Sequence, residues 1–165
     1  NYEIEITCEG YKTINDSIII NSSASFNFPM TQGMYNVTGD ASATADSAMG
    51  ENTAQKAIDG DLSTRWESEY HDNAWLTVDL GEVKKINGVN IVWEGAYASE
   101  YSIEVSVDGV SFTKVADETL AREGLKSTAF DETDARYIKV NCKKRANTKF
   151  GSSIKEISIL SDYAE

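Results

Sequence analysis

"WLTVDLGEVKKINGVNIVWEG", residues 75–95, decides how this chain folds. Leu76, Val78 and Leu80 recur two residues apart, with Trp75, Thr77 and Asp79 between them. The same period returns downstream, where Val89, Ile91 and Trp93 alternate with Asn90, Val92 and Glu94. Successive side chains of a β-strand point to opposite faces, so each run offers one face to a core and one to its surroundings. A sustained 3.6-residue period over a long stretch, the mark of an amphipathic helix, is missing. Both are therefore read as strands.

The period spreads outward from there. In "YSIEVSVDG" Tyr101, Ile103, Val105 and Val107 share a face, and Asp108-Gly109 supplies a turn before "SFTKVA", which predicts a hairpin. In "RYIKVNCKK" Ile138, Val140 and Cys142 fall together. In "SSIKEISIL" the step from Ile154 to Ile157 is three residues and the next, to Ile159, is two. The pleat must therefore slip near Lys155 and Glu156, as a β-bulge makes it do. Many short strands, one proline and a shortage of 3.6-period stretches describe an all-β sandwich or barrel, placed at residues 36–165.

Residues 1–35 read differently. "YEIEITCEGYKTINDSIII" alternates at Ile4 and Ile6, turns at Glu9-Gly10 and resumes with Ile18, Ile19 and Ile20, an N-terminal β hairpin expected to close a preceding domain. "NSSASFNFPMTQGM" is then a linker. The first residues lack the basic start and apolar middle of a signal peptide, so the chain is expected to be part of a larger multidomain protein.

With 27 acidic against 15 basic residues the net charge is −12, which repels phosphate backbones and anionic headgroups. Nucleic acid is excluded as a partner and membrane lipid disfavoured. Cys8 and Cys142 are the two cysteines; they form no zinc-type spacing and are read as buried free thiols rather than a bridge. The sequence has no lipase-like GxSxG, no HExxH and a single histidine, so no catalysis is expected.

One loop carries chemistry of its own. In "KAIDGDLSTRW", residues 56–66, Gly60 permits a tight turn that could aim oxygens inward: the Lys56 and Asp61 carbonyls, the Asp59 carboxylate and Thr64, completed by Glu156 beyond the bulge. Hard cations such as calcium take six to eight such oxygens. An Asp-Gly turn in which Asp59 caps backbone amides accounts for the spacing equally well. The twelve-residue pattern of an EF-hand is missing.

The ordered set "DGDLSTRW", "WLTVDLG", "YSIEVSVDG" and "ARYIKV" resembles the coagulation factor V/VIII C-type, or discoidin, domain, whose bacterial branch is family 32 of the carbohydrate-binding modules. The resemblance covers about residues 36–161. It implies a jelly-roll β-sandwich of the galactose-binding-domain-like kind, with a structural calcium ion held by Lys56, Asp59, Asp61, Thr64, the Lys155 carbonyl and Glu156. It further implies a glycan site at Arg65, Tyr70, Glu94 and Phe150, with Glu51 as a further member. The galactose-binding pattern would start at His71, but no convincing Arg and Asn follow it.

The expected function is a non-catalytic, calcium-stabilised module, monomeric and extracellular or on a bacterial cell surface. It would tether its parent protein to a glycan or polysaccharide, with a hexosamine- or glucan-type sugar favoured. A discoidin-type adhesion domain for protein or cell surfaces is the alternative. Trp66 and Trp93 are read as core residues; Trp75 is divided between core and surface.

Overall fold

The computed structural model describes residues 2–6, 14–18 and 34–163. β1 (Tyr2–Ile6) pairs antiparallel with β2 (Ile14–Ile18), the hairpin expected near the N-terminus. The Glu9-Gly10 turn, Cys8, Ile19, Ile20 and linker residues 21–33 lie outside the described residues.

The remaining strands form a two-layer β-sandwich whose layers share two long strands. β6 (Ala74–Trp93) and β9 (Gly124–Arg145) pair along their lengths. The first half of β6 lies between β4 (Ser42–Ala45) and the second half of β9. That half of β9 carries β7 (Ala98–Ser106), which in turn carries β8 (Thr113–Thr119). The second half of β6 pairs instead with the first half of β9 and with β10 (Ser153–Ser161). On the far edge of β10, β3 (Tyr35–Asn36) and β5 (Trp66–Glu67) pair with its opposite ends.

A strand changes layer where its ladder breaks. On β6 the register shifts between Asp79 and Lys84, at a turn where Gly81 has φ 81° and donates its amide to Asp79. Arg136 grips the same Asp79 through Nε at 2.7 Å and a terminal nitrogen at 3.0 Å, which pins the bend of β9 to that of β6. Lys84, Lys85 and Ile86 then carry the strand into the second layer, so the two runs of the opening stretch are one bent strand.

The inward faces are those the alternation marked. Leu76, Val78, Val89, Ile91 and Trp93 meet Ile103, Ile138, Val140, Cys142, Ile154, Ile157 and Ile159, all buried. Trp93 of the second layer and Tyr101 of the first join the layers at 5.0 Å between ring centroids. Burial pushes the Tyr101 hydroxyl and the Cys142 thiol each up to about 12. Trp66 is fully buried, its indole N–H donating to the Ser47 carbonyl at 2.9 Å.

Two details depart from the alternation. Val107 is 53% exposed, because β7 ends at Ser106 and Val107 begins the turn. The first half of β9, residues 124–134, has no counterpart among the strands read from the sequence.

Candidate functional site

The loop after the 3₁₀ turn Ala54–Ala57 is organised around Thr64. Its hydroxyl lies 2.8 Å from a carboxylate oxygen of Asp59, 3.0 Å from the Asp61 carbonyl and 3.4 Å from the Lys56 carbonyl. A hydroxyl has one proton, so it cannot satisfy three acceptors at once. The other Asp59 oxygen accepts the Asp61 amide at 2.9 Å, the capping bond of an Asp-Gly turn, and Gly60 has φ 76°. The turn and the gathering of oxygens coexist in one loop.

Glu156 reaches this loop from the other end of the chain. On β10, Ile154 opposes Trp93 and Glu156 opposes Val92, so Lys155 has no opposite number and forms the expected bulge. Beyond it, a Glu156 carboxylate oxygen accepts the Gly60 amide at 3.1 Å. Partial burial and the nearby Asp59 push the Glu156 carboxyl above its ordinary value. Two carboxylates, two carbonyls and a hydroxyl with too few donors are a fit donor set for a hard cation. Among the described residues no group of three or more His, Cys, Asp or Glu side chains could hold a metal. A cation here would therefore depend on carbonyls and Thr64 as well as the two carboxylates. Asp61 would offer only its carbonyl, since its carboxylate accepts from the Ser63 hydroxyl and amide, which lower its pKa.

The residue after Thr64 opens a cleft of about 300 Å³ lined by Arg65, Glu67, Glu94, Gly95, Ala96, Asn147 and Phe150. Arg65 donates to Glu67 at 2.9 Å, and Asn52 donates to the same oxygen at 3.0 Å. Glu94 directly follows β6 and is held by the Ala96 amide at 2.8 Å through one oxygen. Phe150 stands 47% exposed at the rim. The cleft thus combines an aromatic face, a guanidinium, two carboxylates and an amide.

The structure brings Arg65, Glu94 and Phe150 together and leaves Tyr70, His71 and Glu51 outside that lining. Tyr70 is 52% exposed. His71 faces Asp46 and Ser47, each at 3.3 Å, and its other ring nitrogen meets the Asp72 carbonyl at 3.1 Å. An Arg and an Asn do follow His71, as Arg145 at the end of β9 and Asn147 in the loop after it. Arg145 donates from Nε to Asp72 at 3.0 Å and from one terminal nitrogen to the Thr148 and Phe150 carbonyls at 3.1 Å each. It is a staple for the Phe150 loop, and its pairing lowers the Asp72 carboxyl.

A family model described as the F5/8 type C domain matches residues 41–157. The chain belongs to that family. Among solved F5/8-like folds, chitosan-binding module 2 of a chitosanase/glucanase from Paenibacillus sp. IK-5, in complex with chitotriose, is 31% identical, with a TM-score of 0.70 over 75% of this chain and 98% of that one. The family 32 carbohydrate-binding module of Clostridium perfringens NanJ, in complex with galactose, is 27% identical, with a TM-score of 0.69 over 76% of this chain and 96% of that one. In sequence, the polysaccharide lyase 8 family protein HylA of Enterococcus faecalis is 36% identical over 105 residues, 60% of this chain. The match spans 8% of that lyase.

For this F5/8 type C domain, the lining residues that sequence reading missed are Glu67, Asn147, Gly95 and Ala96. The signal for Glu67 was its place two residues after Arg65, a spacing that puts two side chains on one side of an extended segment. Asn147 carries no such signal, because it sits in a loop whose course is set by Arg145.

Proposed function

We propose that this F5/8 type C domain is a non-catalytic module that holds a larger secreted or surface bacterial protein on a glycan, binding a hexosamine- or glucan-type sugar in the Arg65–Glu94–Phe150 cleft. The observation that carries the reading is the convergence of Arg65, Glu94 and Phe150, from three separate segments, on one cleft. Its aromatic ring suits the C–H face of a pyranose, and its carboxylates can each accept from adjacent hydroxyls or from an ammonium. The likeness to chitosan-binding modules supports an amino sugar.

The oxygen-rich loop is proposed to hold a structural calcium ion through the Lys56, Asp61 and Lys155 carbonyls, Asp59, Thr64 and Glu156. When bound, the ion would supply positive charge between two carboxylates. The chain's own contribution is to launch Arg65 and β5 directly from that loop.

A single open cleft encloses little of its ligand, so affinity in the range of about 10 µM to 1 mM is expected, useful because it raises effective concentration at a surface. Calorimetric titration with glucosamine and N-acetylglucosamine trimers tests the reading. Binding by the parent and at least about tenfold weaker binding by Glu94→Ala and Phe150→Ala are expected, a loss of about 1.4 kcal/mol or more. Equal binding by parent and variants would place the sugar elsewhere. Binding to protein surfaces with no response to any sugar would favour the adhesion reading.

A further inference from the structure

A second groove lies on the outward face of the first layer. It has a volume of about 290 Å³ and is lined by Thr44, Trp75, Thr77, Gly109, Phe112, Tyr137 and Lys139. It shares no lining residue with the Arg65 cleft. Its centre is a cross-strand row: Thr44 opposes Thr77 between β4 and β6, and Thr77 opposes Lys139 between β6 and β9. Residues opposed in neighbouring strands share a face, so two hydroxyls and an ammonium lie in line.

Aromatic rings flank that row. Lys139 Nζ lies 3.6 Å from the Phe112 ring centroid and 5.9 Å from that of Trp75. Tyr137 is two residues before Lys139 on the same face of β9, and its ring lies 3.1 Å from where a Cβ on Gly109 would stand. Trp75, Phe112, Tyr137 and Lys139 are all half-buried. These three aromatic side chains, Trp75 and Tyr137 on strands and Phe112 before β8, are not among the buried core residues.

The charge of the groove is opposite to that of the protein. No carboxylate lines it, in a chain of net charge −12. The next residue in the row, Glu104 of β7, accepts from Ser102 at 3.0 Å, and Lys139 has no ion pair among the described residues. An ammonium over rings is held by cation–π attraction while still able to meet an anion.

We propose that this groove is a second carbohydrate site, taking a uronate unit of an acidic polysaccharide. Trp75, Phe112 and Tyr137 would pack against the pyranose C–H faces, Lys139 would pair with the carboxylate, and Thr44 and Thr77 would meet ring hydroxyls. This site stands independently of the cleft reading, because ligand and residues differ.

The test is an amide and indole NMR titration with trigalacturonate and, separately, its neutral methyl ester. The three tryptophan indole signals separate the sites, with Trp75 in the groove and Trp93 adjoining Glu94; Trp75→Phe assigns the first. Trigalacturonate is expected to move the Trp75 signal, about fivefold less tightly in Lys139→Gln, and less at higher salt. Unmoved Trp66 and Trp93 signals in that variant show that it is folded. A still Trp75 signal, movement of Trp93 alone, equal response to the methyl ester, or unchanged affinity in Lys139→Gln would each overturn the proposal.

Discussion

The Gly60 amide donates to the Glu156 carboxylate at 3.1 Å, joining residues 96 positions apart. That bond ties the oxygen-rich loop to the bulged end of β10, the same strand whose Ile154 pairs with Trp66 beside the cleft. Anything that loosens it should reach Arg65.

Calcium is expected to tighten this tie. At calcium about 100-fold above its dissociation constant, binding stabilises the folded state by about 2.7 kcal/mol. For a domain of this size that is a melting temperature about 5–10 °C higher than in chelator. Glu156→Gln should reverse sign with the ion: lower melting than the parent in calcium, and equal or higher melting in chelator, where it relieves repulsion with Asp59. Differential scanning calorimetry in both buffers reads both. A melting curve indifferent to chelator would remove the ion from the account.

Gly151→Ala should damage the cleft from behind. A Cβ at Gly151 would stand 1.9 Å from the Ser68 carbonyl oxygen, at the point where the Ser68 and Ser152 backbones bond to each other. Backbone cannot yield as a flexible side chain can, so a loss of about 2 kcal/mol or more is expected in urea unfolding.

Arg145→Ala removes the side-chain bonds to Asp72 and to the Thr148 and Phe150 carbonyls, while its backbone amide keeps Asp72 and no lining side chain is changed. Arg145 is a positioning residue, so sugar affinity should fall while the melting temperature changes little. Lys at this position, unable to fork to three acceptors, should restore affinity only in part. Calorimetric titration beside a melting curve separates the two effects.

The turn after β7 sets one acid limb. Asp108 accepts the Ser111 and Val110 amides at 2.8 Å each, and the Ser106 hydroxyl, which hold its carboxyl down to about 2. A carboxylate with a lowered folded pKa stabilises fully above its unfolded value of 3.8 and loses that contribution as pH falls towards 2. Asp108→Asn should therefore flatten the stability curve between about pH 4 and 2, measured by urea unfolding across that range. An unchanged acid limb would show that the turn contributes nothing through Asp108.

Much of the fold was legible because its inward positions are apolar at a clean period of two, and the bulge at Lys155 because Ile154 and Ile157 break that period by one. The first half of β9 was not. There the alternation is nearly inverted: Leu125 is 66% exposed and Ala129 is exposed, while Thr128 is buried at 6% exposure. Thr128 can occupy an inward position because its hydroxyl donates to Glu118 at 2.9 Å, a partner no local pattern reveals. The loop oxygens around Thr64 were readable from nine consecutive residues, whereas the cleft depends on Arg145 and Gly151, whose roles lie in the loops they fasten. Tyr70, two residues beyond buried Ser68, was expected at the ligand and lies outside the cleft lining.

A crystal of this domain grown with calcium and soaked with a glucosamine trimer tests the central claim most directly. Sugar density is expected between Arg65, Glu94 and Phe150, with a carboxylate of Glu94 or Glu67 on an amino or hydroxyl group. Sugar held instead by Tyr70 and His71, with the Arg65 cleft filled by water, would contradict it.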